Sequence, residues 1–133
     1  MPHEIRICRR EDFATIVPLL EQLWPDQRLD HLALQAVFER GFASGLQTYL
    51  CATADDRTVG FGSMTINNNL WQAGYVAHID ELVVDQSHRG QGIGAALLDR
   101  LVEIARINGC RRIELDSGFP SKGGASVLRA TGL

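Results

Sequence analysis

One stretch, residues 78–105, constrains the fold more than any other part of the chain. It opens with an apolar, β-branched run over 78–85, passes through a short polar loop and reaches a turn, 90–94, with glycine at every second position. An apolar run bounded by loop residues predicts a strand. Apolar residues then recur at helical spacing over 93–105, which predicts an amphipathic helix. The sequence therefore predicts a strand, a glycine-rich turn and a helix in direct succession.

The turn itself predicts a binding site for phosphate or diphosphate. Gly90, Gly92 and Gly94 carry no Cβ, so the backbone can turn tightly and a ligand can reach its N–H groups. A helix start adds unpaired N–H donors and the positive end of the helix dipole. Two familiar phosphate loops do not match. No lysine follows Gly94 as the P-loop requires, and G-x-G-x-G differs from the dinucleotide pattern G-x-G-x-x-G.

A third phosphate-binding pattern does match. Residues 89–94, Arg-Gly-Gln-Gly-Ile-Gly, fit [QR]-x-x-G-x-[GA], the acyl-CoA pyrophosphate loop of the GNAT N-acetyltransferase superfamily, and residues 80–85 resemble that family's central strand. The resemblance implies acetyl-CoA as co-substrate, its diphosphate on the turn and its pantetheine arm on the strand backbone. The implied cofactor-binding residues are Leu82, Val83, Val84, Arg89, Gly90, Gln91, Gly92, Ile93, Gly94 and Ala95.

The rest of the chain predicts one α/β (α+β) domain over residues 1–133. Alternating patterns predict strands over 5–9, 48–54, 58–66, 75–84 and 112–116. Helical patterns predict helices over 11–24, from 29 to Gly41 or Gly45, from 93 to Gly109, and over 121–130. The order βααβββαβα resembles the first part of the GNAT fold, a mixed, mostly antiparallel sheet flanked by helices.

The end of the chain departs from the family pattern. The family normally adds a hairpin of two strands after its last helix, and this sequence stops at Leu133. The strand over 112–116 would then present an open edge, which invites pairing with another chain. We expect a second copy of the chain, in a homodimer, or an unusual local arrangement to cover that edge. A truncation, natural or introduced by cloning, is equally consistent with the sequence.

Composition narrows the possible partners and the cellular location. The net charge is −3 and no block of lysine and arginine stands out, which argues against a nucleic-acid partner. No apolar run approaches the ~18 residues of a membrane helix. Cys8, Cys51 and Cys110 form an odd, widely spaced set among apolar neighbours, so we expect three reduced core thiols and a cytoplasmic protein. The histidines have no metal-ligand spacing with the cysteines, and we expect no metal.

The resemblance also implies where the catalytic base lies. The family is understood to transfer the acetyl group by direct attack of a primary amine of a small molecule on the thioester. Asp80 matches a position that carries a carboxylate base in several members, and His78 matches a base in others. We therefore expect Asp80 to be the base, with His78 as helper or substitute. An alternative role for Asp80 is to bind a cationic substrate. Strict strand alternation places His78, Asp80 and Leu82 on one face and Glu81 on the other, as a structural partner.

Two features leave the activity open. Many family members place a tyrosine acid in the last helix, where this chain has Leu128, and no tyrosine follows Tyr75. Either water or a group elsewhere then protonates the leaving thiolate, or the chain is impaired as an enzyme. The alternative function is accordingly a non-catalytic or degenerate acyl-CoA-binding module. By resemblance, the first two helices and the loop between them shape the acceptor side, and four residues fall there: Trp24, Asp26, Asp30 and His31. The aromatic ring and the two carboxylates would suit a cationic amine. The other interpretation is a surface loop with one packed tryptophan.

Overall fold

The computed structural model describes residues 3–115, which hold five strands and three helices. The strands are β1 (Glu4–Ile7), β2 (Gln47–Ala54), β3 (Arg57–Asn69), β4 (Gly74–Val84) and β5 (Cys110–Leu115). The helices are α1 (Phe13–Leu23), α2 (His31–Ser44) and α3 (Ile93–Ile107), with short 3-10 turns at Arg10–Asp12 and Gln86–His88. The predicted order is confirmed from the first strand to the fifth. The helix predicted over 121–130 lies outside the described residues.

The five strands form one sheet in the order β1-β2-β3-β4-β5. The three pairs formed by β1, β2, β3 and β4 in succession are antiparallel, and β5 runs parallel to β4. A parallel pair needs a long crossover, and α3 provides it. The mixed, mostly antiparallel sheet predicted from the sequence is therefore confirmed. Among residues 3–115, no helix is both long and apolar enough to cross a membrane.

The helices cover the two faces of the sheet. One apolar cluster joins α3 to the sheet and includes Met64, Ile79, Leu97, Leu101 and Ile113. A second cluster joins α1 and α2 to the opposite face and includes Ile16, Leu20, Phe38, Phe61 and Val83. Each helix thus buries its apolar stripe against one side of the same sheet.

Glycines inside a strand predict a bulge or a close backbone approach, and β3 shows both. Ala52 pairs with Gly60 and Thr53 with Thr58, so Val59 is an extra residue in the ladder with β2. A Cβ added at Gly60 would lie 3.0 Å from Leu97 Cδ1, and one added at Gly62 would lie 3.3 Å from Leu101 Cδ1. The two glycines therefore let α3 pack directly on the backbone of β3. This close packing brings the start of α3 near the end of β4.

The β3–β4 hairpin is longer than the sequence predicted. The predicted strands end at residue 66 and resume at residue 75, which leaves the three asparagines 67–69 outside them, and asparagine is depleted in strands. They extend β3 instead, and their partners in β4 run from Val76 back to Gly74. The ladder with β4 stabilises an extended backbone here against the local preference of the residues. The turn that remains carries Leu70 and Trp71, which are both exposed.

The prediction of three reduced thiols was wrong for two of them. Cys8 and Cys51 are joined by a disulfide, whereas Cys110 is a free, buried cysteine. The pairing follows from the β1–β2 ladder, because the Cys8 N–H donates to Tyr49 O at 2.8 Å and the two Cα atoms lie 5.5 Å apart. That separation is ordinary for a disulfide. Asp12 lies beside the two sulfurs, with its carboxylate bonded to Arg6.

The disulfide generates the first prediction. It closes a loop of 43 residues, which by loop-closure entropy corresponds to about 4 kcal/mol of stability. Protein purified without reductant should therefore lose stability in urea when a thiol reductant is added. Cys110→Ala should show the same loss, because Cys110 takes no part in the bond. Titration of the unfolded, unreduced chain should find one thiol, and three would contradict the pairing.

Candidate active site

A β-bulge in β4 brings three ionisable side chains to one face of the sheet. Met64 pairs with Ile79 and Ser63 pairs with Glu81, so Asp80 is an extra residue in the ladder. A bulge of this kind reverses the alternation that follows it. His78, Asp80 and Glu81 consequently share the face that α1 and α2 cover.

Two expectations based on strict alternation are therefore wrong. Glu81 was expected on the opposite face from Asp80, yet it bonds to Ser63 and lines a cavity beneath α1 and α2. Leu82 was expected on the same face as Asp80, yet it packs against the α3 cluster. The sequence does not mark the bulge, because the extra residue is defined only by its pairing with β3.

His78 and Asp80 form a hydrogen-bonded pair. His78 Nδ1 lies 2.7 Å from Asp80 Oδ1, and Thr65 Oγ1 donates to Asp80 Oδ2 at 2.6 Å. Gln47 Nε2 donates to Thr65 Oγ1 at 3.0 Å, and Tyr49 OH donates to Gln47 Oε1 at 3.1 Å. An ionised carboxylate only accepts hydrogen bonds. With an ionised Asp80, the proton of this hydrogen bond lies on Nδ1 of His78, and Nε2 is the ring nitrogen that Asp80 does not contact.

The pair is neither fully buried nor fully exposed. The side chains of His78 and Asp80 keep 31% and 29% of their accessible surface. Solvent or a substrate can therefore reach them, and neighbouring strands hold their rotamers. An imidazole oriented by a carboxylate is a side-chain arrangement that can serve general-base catalysis.

Glu81 lies in a small apolar cavity next to this pair. Ser63 Oγ donates to Glu81 Oε1 and accepts from the Glu81 backbone N–H. The cavity, of about 80 Å³, lies between α1, α2 and the sheet, and its aromatic lining is Phe13, Trp24, Phe38, Tyr49 and Phe61. Burial raises the pKa of Tyr49, and the neighbouring carboxylates of Glu81 and Asp80 raise it further. A carboxylate among aromatic rings can receive a cationic amine.

The glycine-rich turn has the backbone geometry that the sequence predicted. Gly90 and Gly92 have φ of 81° and 82°, a region that favours glycine. An added Cβ would meet no atom within 4 Å at either position, so the backbone of the turn faces open space. The first helical bond of α3 runs from Ala96 N to Gly92 O. The N–H groups of residues 93–95 precede it, as at any helix start.

A cavity of about 370 Å³ joins the turn to the central strand. Its lining is Gln22, Leu23, Leu82, Val83, Val84, Arg89 and Gly94. Five predicted cofactor-binding residues, those from β4 together with Arg89 and Gly94, are thus brought together. Gly90, Gln91, Gly92, Ile93 and Ala95 do not line it, and the Ile93 side chain is buried in the core. Gln22 and Leu23, which come from α1, were not among the residues predicted for this site.

The strand edge beside this cavity has no partner in the described part of the chain. The β4–β5 pairing ends at Ile79 and Leu115, whereas β4 continues to Val84. Across residues 3–115, the backbone of 82–84 therefore pairs on its β3 side alone. An extended ligand arm can add to such an edge by main-chain hydrogen bonds.

The four candidates for the acceptor side separate in the structure. Trp24 lines the apolar cavity. Asp30 caps α2 by accepting from Ala33 N at 3.1 Å, and His31 Nε2 lies 3.6 Å from Glu21. Asp26 is exposed. Of the four, only Trp24 reaches the cavity that holds Glu81.

Asp85 anchors the segment that leads into the turn. Its carboxylate accepts from Gln22 Nε2 at 2.8 Å, from Ser87 Oγ, and from His88 Nδ1 at 3.0 Å. These three hydrogen bonds, from Gln22 first, hold the pKa of the Asp85 carboxyl well below its ordinary value. Arg89 Nε donates to Val84 O at 3.1 Å.

The chain is similar in sequence to known acetyltransferases. Residues 13–125 match the model of the acetyltransferase (GNAT) family. The chain is 34% identical over 120 residues to a glucosamine 6-phosphate N-acetyltransferase of Trypanosoma brucei brucei, covering 89% of this chain and 82% of that protein.

Solved structures show the same fold. A crystal structure of a Trypanosoma brucei acetyltransferase superposes with a TM-score of 0.76 at 28% identity, covering 99% of both chains. The structure of a "predicted acetyltransferase" from Clostridium acetobutylicum with acetyl-CoA has a TM-score of 0.77 at 20% identity, covering 92% of this chain and 84% of that one.

The Asp85 contacts predict how stability depends on pH. The folded pKa lies below the unfolded value of about 3.9, so the stabilisation is present above that pH and is lost as the pH falls below it. Asp85→Asn should cost roughly 1–2 kcal/mol at pH 7, and the difference from wild type should shrink below about pH 4. Urea unfolding from about pH 2.5, below the reference pKa of aspartate, to about pH 7 measures the stability difference and its dependence on pH. Asp99→Asn, at an exposed position of α3, is the control. A difference that did not vary with pH would contradict this account.

Proposed function

The chain belongs to the acetyltransferase (GNAT) family, and on that basis we propose how it holds its two substrates and which amine it acetylates. It is an acetyl-CoA-dependent N-acetyltransferase acting on the amine of a small molecule. The observation that carries the proposal is the adjacency of two cavities. One is lined by Arg89, Gly94 and residues 82–84, the other by Glu81, so consecutive residues of β4 line the two cavities.

The coenzyme is assigned to the larger cavity. The diphosphate would accept from the N–H groups between Gly90 and Ala95, and Arg89 would add a positive charge. The open space at Gly90 and Gly92 supports this fit. The pantetheine arm would pair with the backbone of Leu82, Val83 and Val84, whose β5-facing edge has no partner within residues 3–115. This arrangement aims the thioester at the bulge, next to Asp80.

The chemistry divides between the bulge and the pair beside it. Bound acetyl-CoA supplies the thioester carbonyl and a thiolate leaving group. A backbone N–H near Leu82 or Val83 would stabilise the charge that develops on the carbonyl oxygen. Asp80, directly, through water or with His78 as the accepting base, would take a proton from the amine. Glu81 would pair with the ammonium form of the acceptor before that proton is lost.

The leaving thiolate requires no group from the described residues. A CoA thiolate is a tolerable leaving group, and water can protonate it. Leu128, at the position where many family members carry a tyrosine, lies outside the described part of the chain.

Glucosamine 6-phosphate is the first acceptor to test, because the Trypanosoma relative carries that name. The experiment follows thiol release from acetyl-CoA with this amino sugar and with a panel of primary amines. We expect turnover with at least one of them. Tight acetyl-CoA binding with no turnover on any amine would instead indicate the non-catalytic acyl-CoA-binding module.

The proposal extends to a cytoplasmic homodimer. Acetyl-CoA is a metabolite of the cell interior, which supports the location, although the Cys8–Cys51 disulfide is unusual in a reducing compartment. Strand β5 is an edge strand of the sheet over residues 3–115, and a second copy could cover that edge. Light scattering that returned the monomer mass at micromolar concentration would contradict the dimer.

The base assignment gives a direct prediction. Asp80→Ala removes the proton acceptor and the orientation of His78, so kcat at neutral pH should fall by about 100-fold or more. The acetyl-CoA dissociation constant should stay nearly unchanged, because no predicted coenzyme contact is lost. Asp99→Ala on α3 is the control for removing one carboxylate. Unchanged turnover in Asp80→Ala would show that another group is the base.

The turn gives a prediction with a matched control. Gly92 and Gly45 both have strongly positive φ, 82° and 72°, and an added Cβ meets nothing within 4 Å at either. Gly92→Val and Gly45→Val should therefore lower stability to a similar extent through backbone strain. Only Gly92→Val should weaken acetyl-CoA binding, because its side chain would occupy the space assigned to the diphosphate. Calorimetric titration of both variants measures this, and equal coenzyme affinity would refute the assignment.

A further inference from the structure

The side-chain amide of Gln22 joins the last turn of α1 to the residues that follow β4. Its Nε2 donates to Asp85 Oδ1 at 2.8 Å, and its Oε1 accepts from Gln86 N at 2.9 Å. Both ends of the amide are therefore used, across 63 and 64 residues of sequence. We call these two contacts the Gln22 bridge.

The segment held by the bridge leads directly into the glycine-rich turn. The Asp85 N–H donates to Val59 O at 2.8 Å, and the His88 N–H donates to Asp85 O at 2.8 Å. The carboxylate of Asp85 also holds Ser87 and His88. Residues 85–88 are thus fixed to β3 on one side and to α1 on the other.

The turn itself has little to hold it in place. Gly90 and Gly92 have no side chains, their φ values lie in the region glycine adopts freely, and a Cβ added at either would meet no atom within 4 Å. Glycine loses more conformational freedom on ordering than any other residue. The direction of the N–H groups must therefore be set by the flanking segments, which are α3, residues 85–88, and Arg89, whose Nε donates to Val84 O.

From this we infer that Gln22 is a positioning residue for the coenzyme. By holding Asp85 and Gln86, it fixes the direction of the N–H groups between Gly90 and Ala95 that receive the diphosphate. The inference rests on the proposed coenzyme site and adds α1 to it. Gln22 also lines the larger cavity, so the test must separate positioning of the turn from direct contact with the pantetheine arm.

Two acetyl donors make that separation. Acetyl-CoA carries the diphosphate, and S-acetylpantetheine carries the same thioester and arm without it. Gln22→Met keeps the length of the side chain and removes both hydrogen bonds. We expect KM and the dissociation constant for acetyl-CoA to rise about tenfold, with kcat at saturation unchanged. The kcat/KM for S-acetylpantetheine should stay the same. Gln35→Met, the same substitution at an exposed position of α2, is the control and should leave the kinetic constants for both donors unchanged.

A paired substitution tests the bridge by rescue. Gln22→Glu keeps an acceptor for Gln86 N but sets a second carboxylate against Asp85, so acetyl-CoA affinity should fall. Adding Asp85→Asn restores a donor to the pair, since the new amide can donate to the new carboxylate and still accept from Ser87 and His88. The double variant should recover most of the affinity for acetyl-CoA.

The outcomes are distinct. Unchanged acetyl-CoA affinity in Gln22→Met, an equal loss for both donors, or no recovery in the double variant would each overturn the positioning role while the wild-type enzyme remains active. A wild type that neither binds acetyl-CoA nor releases thiol would overturn the proposed function, and this inference with it.

Discussion

The extra residue in the β3–β4 ladder is the constraint on which the candidate site depends. Pairing of Ser63 with Glu81 and of Met64 with Ile79 leaves Asp80 between them. Without it, Glu81 would point toward α3 and the apolar core, where a carboxylate is costly. With it, His78, Asp80 and Glu81 share one face, and Leu82 joins the opposite core. The bulge thus places three ionisable side chains on one face of the sheet and reverses the face toward which the following residues point.

Strand β4 contributes residues to both the proposed coenzyme site and the proposed acceptor site. Before the bulge, β4 pairs on both sides, with β3 and with β5 as far as Ile79. After it, within the described residues, only the β3 side is paired, and residues 82–84 border the larger cavity. The cavity that holds Glu81, the proposed acceptor side, is lined by aromatic side chains of α1, α2 and the sheet. A thioester lying along 82–84 would therefore end beside Asp80 and Glu81, at the boundary between the two cavities.

Helix α1 contributes side chains to the lining of both cavities. Leu20 and Trp24 face the cavity that holds Glu81, and Gln22 and Leu23 face the one beside the turn. Beneath the helix layer, the Cys8–Cys51 disulfide ties the end of β1 to β2 within the α1–α2 cluster. The helix is thus anchored at a covalently closed part of the core, and its last turn reaches the loop that precedes α3.

Local sequence determined the strand, glycine turn and helix over 78–105, because alternation, helical spacing and glycine act over a few residues. It determined the order of elements through β5 for the same reason. Tertiary structure alone decided the bulge at Asp80, the face of Glu81, the disulfide and the Gln22 bridge. These contacts join residues 18, 43 and 63 positions apart. No local pattern encodes such pairings, because they exist only once the sheet has set its register and the helices have packed on it.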